Sequence, residues 1–255
     1  MISDFFEIFL LSIVQGVSEF IPVSSAAHLI LASNIYEFKN QSLLIDISLH
    51  LGSLLAILFY FKDDVFNFNK NKNLFYKIII GTIPLIIFGY FLYATNIIDY
   101  FRNIKVIAWA TLFFGILLYI GDKNKFLKKI DTNFNMKSVL IIGFFQVLAL
   151  IPGVSRAGIT ITAGRILGFN RTDSTKISFY LSIPALLGAS ALGIKDLFKE
   201  NIDFNLLVLI GVFLSFLFSL ITIKIFLKFV KNFTLNAFVI YRIFLAIILF
   251  YIIYF

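Results

Sequence analysis

The chain has 255 residues, 60% of them hydrophobic and 14% charged, and a mean hydropathy of +0.96. Soluble domains are roughly 45–50% apolar and about 25% charged, so the composition excludes an ordinary water-soluble fold and predicts an all-α polytopic membrane protein. No cysteine is present, which excludes disulfides and thiolate metal sites. The net charge of +8 comes from lysines gathered between apolar runs, the signature of membrane topology rather than nucleic-acid binding.

The apolar runs are continuous, unlike the short alternating segments of a β-barrel. The N-terminus lacks a basic region and a small-residue cleavage site, so residues 4–21 read as a retained segment, not a removable signal peptide. The first run, Phe5–Ile21, ends at Pro22, and a second short run extends from Val23 to about Ile35. Across their junction lies Gln15-Gly-Val-Ser-Glu-Phe-Ile-Pro-Val-Ser-Ser-Ala-Ala-His28, a dense polar group in an apolar setting. Neither half holds the roughly 20 apolar residues of a span, which predicts a re-entrant helix–turn–helix, its non-helical backbone buried in protein or lining a cavity. Pro22 breaks the first helix and is suited to open a second, placing Ser24, Ser25 and His28 in its first turns. The free N–H groups and partial positive charge of such a helix start favour an anion.

Leu43–Phe61 reads as a full span with Asp46 and His50 near its start, followed by a polar loop from Lys62 to Lys77. Ile78–Ala94 and Ile104–Ile120 are further spans, and Gly121 to Lys137 is a strongly basic loop. The pattern then restarts. Met136–Ile151 contains Gln146 and is broken by Pro152, after which Gly153-Val-Ser-Arg-Ala-Gly158 opens a short helix to about Leu167. Three spans follow, near Ile177–Ile194, Leu206–Phe226 and Leu235–Tyr254. One membrane domain over residues 1–255 with internal repeats of about 5–120 and 137–255 is therefore expected. Each repeat holds one re-entrant hairpin and three spans, and an odd number of crossings inverts the second copy relative to the first. With six spans and two re-entrant hairpins, one side of the membrane carries thirteen loop Lys/Arg and the other five, which puts both termini outside.

Each polar residue has a plain reading and a chemical one. Glu19 suits a divalent cation, which takes hard oxygen ligands, or general acid–base work, but could also be a structural partner of a distant arginine. Gln15, four residues earlier, shares its helix face and supplies an amide oxygen, or merely joins helices. Ser24 and Ser25 either cap the second helix or, with His28 three residues after Ser25, form a serine–base pair. His50 is balanced between the two readings. Arg156 follows a Pro-Gly break and matches phosphate oxygens bidentately, and Ser155 assists it or caps. Arg165 and Arg171 are expected at or near the membrane surface. Two hairpin tips meeting in mid-membrane would place Glu19, Ser25 and His28 opposite Arg156, a site for an amphiphile with a phosphorylated head.

The stretches QGVSEFIPVSSAAH, LHLGSLLAILFYF and PGVSRAGITITAGRILGF, with Ser182-Ile-Pro-Ala-Leu186 and Tyr241-Arg242, resemble the bacterial undecaprenyl-diphosphatase family, also called bacitracin-resistance proteins. The resemblance covers essentially the whole chain. It implies an integral membrane enzyme that removes one phosphate from undecaprenyl diphosphate, recycling the lipid carrier of cell-wall synthesis at the outer face of the plasma (inner) membrane. It also implies dependence on a divalent cation, Mg or Ca, with the family's acidic pair at Gln15 and Glu19, its serines and histidine at Ser24, Ser25 and His28, and its essential arginine at Arg156. The implied partners are the diphosphate lipid and the membrane, with no nucleic acid, and a homodimer is left open. The chain departs from the pattern at Gln15, the weaker variant of the first acidic position, and at Ala26 and Ala157, where hydroxyl residues are common. No histidine follows Arg156, which excludes the acid-phosphatase-like lipid phosphatases. Ser25 is expected to attack phosphorus or to orient the diphosphate, with His28 handling the proton. The architecture alone would point to a lipid or small-anion transporter with broken helices at the midplane, and the compact Ser/His/Glu plus Arg set and the resemblance favour the enzyme.

Overall fold

In lipid no water is available to backbone N–H and C=O groups, so a chain this apolar satisfies them within helices. The computed structural model describes residues 2–36, 43–123, 127–200 and 206–255. In chain order the helices are α1 (Ile2–Ser18), α2 (Ser25–Tyr36), α3 (Leu43–Tyr60), α4 (Lys62–Phe66), α5 (Phe68–Ala94), α6 (Ile104–Asp122), α7 (Ile130–Asn133), α8 (Met136–Val147), α9 (Arg156–Ile166), α10 (Arg171–Glu200), α11 (Leu206–Asn232) and α12 (Asn236–Tyr254). Among the described residues there is no strand, only one isolated bridge between Lys128 and Phe169. Segments 71–94, 104–122, 171–194, 206–232 and 236–254 are long and apolar enough to cross a membrane, and Leu44–Tyr60 and Met136–Leu150 are shorter apolar helices. The molecule is an all-α, multi-pass membrane protein.

Five of the six expected spans thus fall on long helices, and the sixth, in α3, is short. The polar stretch 62–77 differs from its expectation as a loop. It is helical apart from Asn67, with non-helical dihedrals at Asn71, because α5 extends its backbone ladder beyond the apolar segment. Lys39 and Lys125 of the charge comparison lie outside the described residues.

Local sequence sets several helix ends. The Asn103 side chain accepts from the N–H of Lys105 and starts α6, and Asn135 accepts from Ser138 and starts α8. At the end of α9, Gly168 takes φ 97° while its N–H reaches Arg165 O and that of Phe169 reaches Gly164 O. Only glycine enters that left-handed turn without strain.

Helix α11 packs on both α1 and α3, while α5 packs on α8 and α10, α6 on α12 and α9, and α3 on α10. Small residues permit the approach: a Cβ on Gly143 of α8 would lie 2.3 Å from Gly81 O of α5, and one on Gly52 of α3 would lie 2.4 Å from Val212 O of α11. Such contacts replace the hydrophobic drive that lipid does not supply between helices. Phe20, Phe61, Phe179 and Phe226 anchor the largest buried apolar cluster. Ile87, Phe113, Leu209 and Ile240 are turned outward, as expected for lipid-facing surface.

Candidate active site

The last turn of α1 builds the first half of the site. Glu19 N–H donates to Gln15 O at 3.0 Å, which keeps the i, i+4 pair on one helix face although Glu19 already belongs to the turn. Gln15 Nε2 donates to Glu19 Oε2 at 3.1 Å and reaches Ser53 Oγ of α3 at 3.4 Å. The chain then turns through Phe20–Val23 and enters α2 at Ser25. Pro22 therefore lies in the turn and does not open the helix, and Ser24 precedes the helix with a left-handed φ of 82°.

Ser24 and Ser155 occupy matching places. Ser155 precedes α9 with φ 71°, and its Oγ accepts the Gly158 N–H at 3.0 Å. Ser24 Oγ accepts the N–H of Ala27 at 3.4 Å and, from the opposite turn, that of Gly153 at 3.2 Å. Non-glycine residues in this region carry strain of about 1–3 kcal/mol and persist only when their surroundings hold them. Here the cap and the cross-turn bond do so.

Ser25 and Arg156 are consequently the first residues of their helices, and both meet Glu19. Glu19 Oε2 accepts the Ser25 hydroxyl at 2.6 Å, and Oε1 accepts Arg156 Nη2 at 2.7 Å. The pair is secluded, with side chains 12% (Arg156) and 7% (Glu19) exposed. Arg156 Nη1 also donates to Ser178 O at 3.3 Å, and the guanidinium lies 6.0 Å from the Phe20 ring centroid. These contacts engage two of its five N–H donors, leaving others for an incoming oxyanion. Nearby serine and carboxylate, with an arginine on the same carboxylate, suit acyl or phosphoryl chemistry.

The structure gives His28 different neighbours from those spacing suggests. Its Nδ1 lies 2.6 Å from Ser24 O and its Nε2 2.5 Å from Tyr241 Oη of α12, with the rings stacked at 5.7 Å. A carbonyl only accepts, so Nδ1 carries a proton, and Nε2 shares its hydrogen bond with the Tyr241 hydroxyl. Ser25 is thus paired with Glu19 rather than His28. Tyr241 enters from 213 residues away, and its sequence signal was only the family-like Tyr-Arg pair. His50 Nδ1 is engaged by Asp46 O at 2.7 Å, one turn back on its own helix.

Arg165 corrects the surface expectation. It is 2% exposed, and Asp122 at the end of α6 accepts its Nε at 3.0 Å and the Nε of Arg171 at 2.7 Å. Asp122 also accepts the Leu235 N–H at 2.9 Å, tying α6, α9, α10 and the start of α12 together. A partner 43 residues upstream made that burial invisible to a local reading.

A divalent cation fits the residues present. Gln15 Oε1 is a buried oxygen without a hydrogen-bond partner, beside the Glu19 carboxylate. No group of three His, Cys, Asp or Glu that could hold a metal occurs among the described residues. One carboxylate and one amide oxygen are donors of the hard-oxygen type that a divalent cation such as Mg²⁺ accepts.

Comparison with known proteins converges on one family. The family model described as bacitracin resistance protein BacA matches residues 8–248. An undecaprenyl-diphosphatase of Pelagibacter ubique is 56% identical over 255 residues, covering 100% of both chains. Proteins of the same name from Elusimicrobium minutum and Saccharophagus degradans are 41% and 37% identical, covering 94% and 96% of this chain and 95% and 97% of theirs. With a match that runs from α1 to α12 and takes in both broken helices, the chain belongs to the BacA family of bacitracin resistance proteins.

Proposed function

We propose that this chain is a membrane phosphatase that hydrolyses undecaprenyl diphosphate to undecaprenyl phosphate and inorganic phosphate, recycling the cell-wall lipid carrier and conferring bacitracin resistance. The observation that carries this reading is the single carboxylate of Glu19, which receives Ser25 on one oxygen and Arg156 on the other. The names of the relatives supply the substrate class.

Arg156 and the N–H groups at the start of α2 hold the diphosphate. Ser25 Oγ attacks the terminal phosphorus as its proton passes to Glu19, and the anhydride P–O bond breaks, Glu19 giving that proton to the departing undecaprenyl phosphate. Water then cleaves the Ser25–phosphate ester, with Glu19 taking the water's proton and passing it to Ser25 Oγ as inorganic phosphate leaves. Gln15 and Glu19 would hold a divalent cation, which supplies charge stabilisation to a phosphoryl group when bound. His28 fixes the backbone at Ser24, and Ser155 caps the helix that presents Arg156.

The architecture we propose is an inverted repeat of about 5–120 and 137–255, with α1–α2 and α8–α9 as re-entrant hairpins. Supporting it are breaks at Pro22 and Pro152, left-handed serines 131 positions apart, and the parallel pairings α1–α11 with α5–α8 and α3–α11 with α5–α10. The basic bias of one set of loops supports both termini outside, and apolar helices in place of the alternating strands of an outer-membrane barrel support the bacterial inner membrane.

The test is phosphate release from undecaprenyl diphosphate by purified protein in detergent, with and without Mg²⁺ or Ca²⁺, beside Ser25→Ala and Arg156→Ala. Acid-quenched turnover of ³²P-labelled substrate should trap label on the wild-type chain and none on Ser25→Ala. Well-folded wild-type protein that releases no phosphate overturns the assignment and returns the architecture to a transporter.

A further inference from the structure

One residue after Tyr241, helix α12 carries an arginine with no task in the chemistry above. Arg242 heads the largest fully buried side chains of the molecule, at 0% exposure. Its guanidinium has one N–H on Nε and two on each Nη, and every one reaches a backbone carbonyl. Nη1 donates to Pro22 O at 3.2 Å and Val154 O at 3.0 Å. Nη2 donates to Gly153 O at 2.8 Å and Ala110 O at 3.5 Å, and Nε to Thr111 O at 3.2 Å. One side chain therefore joins the turn after α1, the turn before α9 and the middle of α6.

The three turn carbonyls, of Pro22, Gly153 and Val154, need such a partner. Where a helix breaks at membrane depth its carbonyls lack the N–H of a following helical turn, and lipid offers no replacement. Two glycines make room for the side chain. A Cβ on Gly115 of α6 would lie 3.1 Å from Arg242 Cβ, and one on Gly158, in the first turn of α9, would lie 3.1 Å from Nη1.

The charge is as informative as the bonds. The buried ion pairs Glu19–Arg156, Asp122–Arg165 and Asp122–Arg171 leave Arg242 out, and among the described residues its guanidinium meets only backbone carbonyls. Glu19 and Arg156 cancel each other. Arg242 thus places a buried positive charge without a counter-ion directly behind the two helix starts that carry Ser25 and Arg156. A buried lone cation is costly, and an anionic ligand in front of it relieves that cost.

We propose that Arg242 is a positioning residue for diphosphate hydrolysis. It locks the turns at 22–24 and 153–155 in register, so that Ser25 and Arg156 meet Glu19, and it holds the net positive charge that draws the diphosphate to them. This inference rests on the phosphatase reading, and its test separates the two.

The chain has no cysteine, so spin labels on Ile21→Cys and Ile151→Cys, beside the two turns, report their separation by pulsed electron resonance. This is measured with Arg242, Arg242→Lys and Arg242→Met, alongside kcat and KM for undecaprenyl diphosphate, with gel filtration and melting as folding controls. Misplacement of reacting groups by about 1 Å costs on the order of 10²-fold in rate, so Arg242→Met should lose about that factor in kcat, raise KM, and broaden the distance distribution. Arg242→Lys keeps the charge but offers three donors for five carbonyls, so KM should return toward wild type while kcat stays depressed. Should Arg242→Met fail to fold, the split between KM and kcat in Arg242→Lys and its label distances decide alone. Wild-type kinetics with unchanged distances in the folded variants overturn the proposal, as does an equal kcat loss in both with KM and distances unchanged. If wild-type protein releases no phosphate, the phosphatase reading falls, while the label distances still decide whether Arg242 holds the turns.

Discussion

Breaking the Glu19–Arg156 pair from one side and then from both separates its cost from its use. The contact is 2.7 Å long between side chains only 7% and 12% exposed. Glu19→Gln keeps the shape and leaves Arg156 a secluded cation; Arg156→Met leaves Glu19 a secluded anion. Removing one partner of a buried pair costs about 3–5 kcal/mol because the other charge stays behind. At about 2–4 °C per kcal/mol for a chain of this size, each single variant should melt about 6–20 °C lower. The double variant, Glu19→Gln with Arg156→Met, strands no charge, so its melting point should recover part of the loss, with a coupling of about 1–3 kcal/mol. Phosphate release should recover nothing: all three variants should fall by about 10²–10⁴-fold, as expected when a base and an oxyanion ligand are removed. Thermal unfolding in detergent and phosphate release on the same preparations give both readouts. Additive destabilisation, or activity returning in the double variant, would refute the reasoning.

Other expectations follow from single contacts. Asp122→Asn should lower the melting point by at least as much as Glu19→Gln, because Arg165 at 2% exposure loses its counter-ion; adding Arg165→Met should restore part of it. Tyr241→Phe removes the hydroxyl hydrogen-bonded to His28 Nε2 at 2.5 Å and should lower kcat about tenfold with KM held, less than the 10²–10⁴-fold of a group that transfers the proton itself; a steady kcat would detach the pair from the reaction. Gln15→Glu adds a second carboxylate beside Glu19 and should shift the metal titration of activity to lower Mg²⁺ concentration, and an unmoved midpoint would remove position 15 from the cation site. Gly143→Ala forces a methyl group to within 2.3 Å of Gly81 O and should destabilise the α5–α8 contact by about 1–3 kcal/mol or more, read by thermal unfolding.

The parts of this molecule that are periodic or local could be read from its sequence. The i, i+4 spacing of Gln15 and Glu19 put both on one face, and the two prolines marked where helices break. The prolines did not mark where the next helices start, because Ser24 and Ser155 take left-handed dihedrals that serine does not advertise. Distance in sequence hid the remainder. Ser25 found its base six residues back rather than at His28, and His28 turned to a tyrosine on α12. Arg165 looked like an interfacial cation because its partner, Asp122, stood in what read as a basic loop. Arg242 was legible only as part of a family-like dipeptide, since its partners are carbonyls and carbonyls carry no sequence signal.

The order of synthesis acquires a meaning from α12. Helices α2 and α9 have 12 and 11 residues, about 16–18 Å at ~1.5 Å per residue, too short to insert into a hydrocarbon layer of about 30 Å by themselves. They can settle only into a cavity that other helices have walled. The side chain that fastens both of their turns sits on α12, which leaves the ribosome after every other described helix. A nascent chain lacking α12 would therefore hold Glu19, Ser25 and Arg156 without holding them together, and catalytic competence would arrive in one late, all-or-none step of biogenesis.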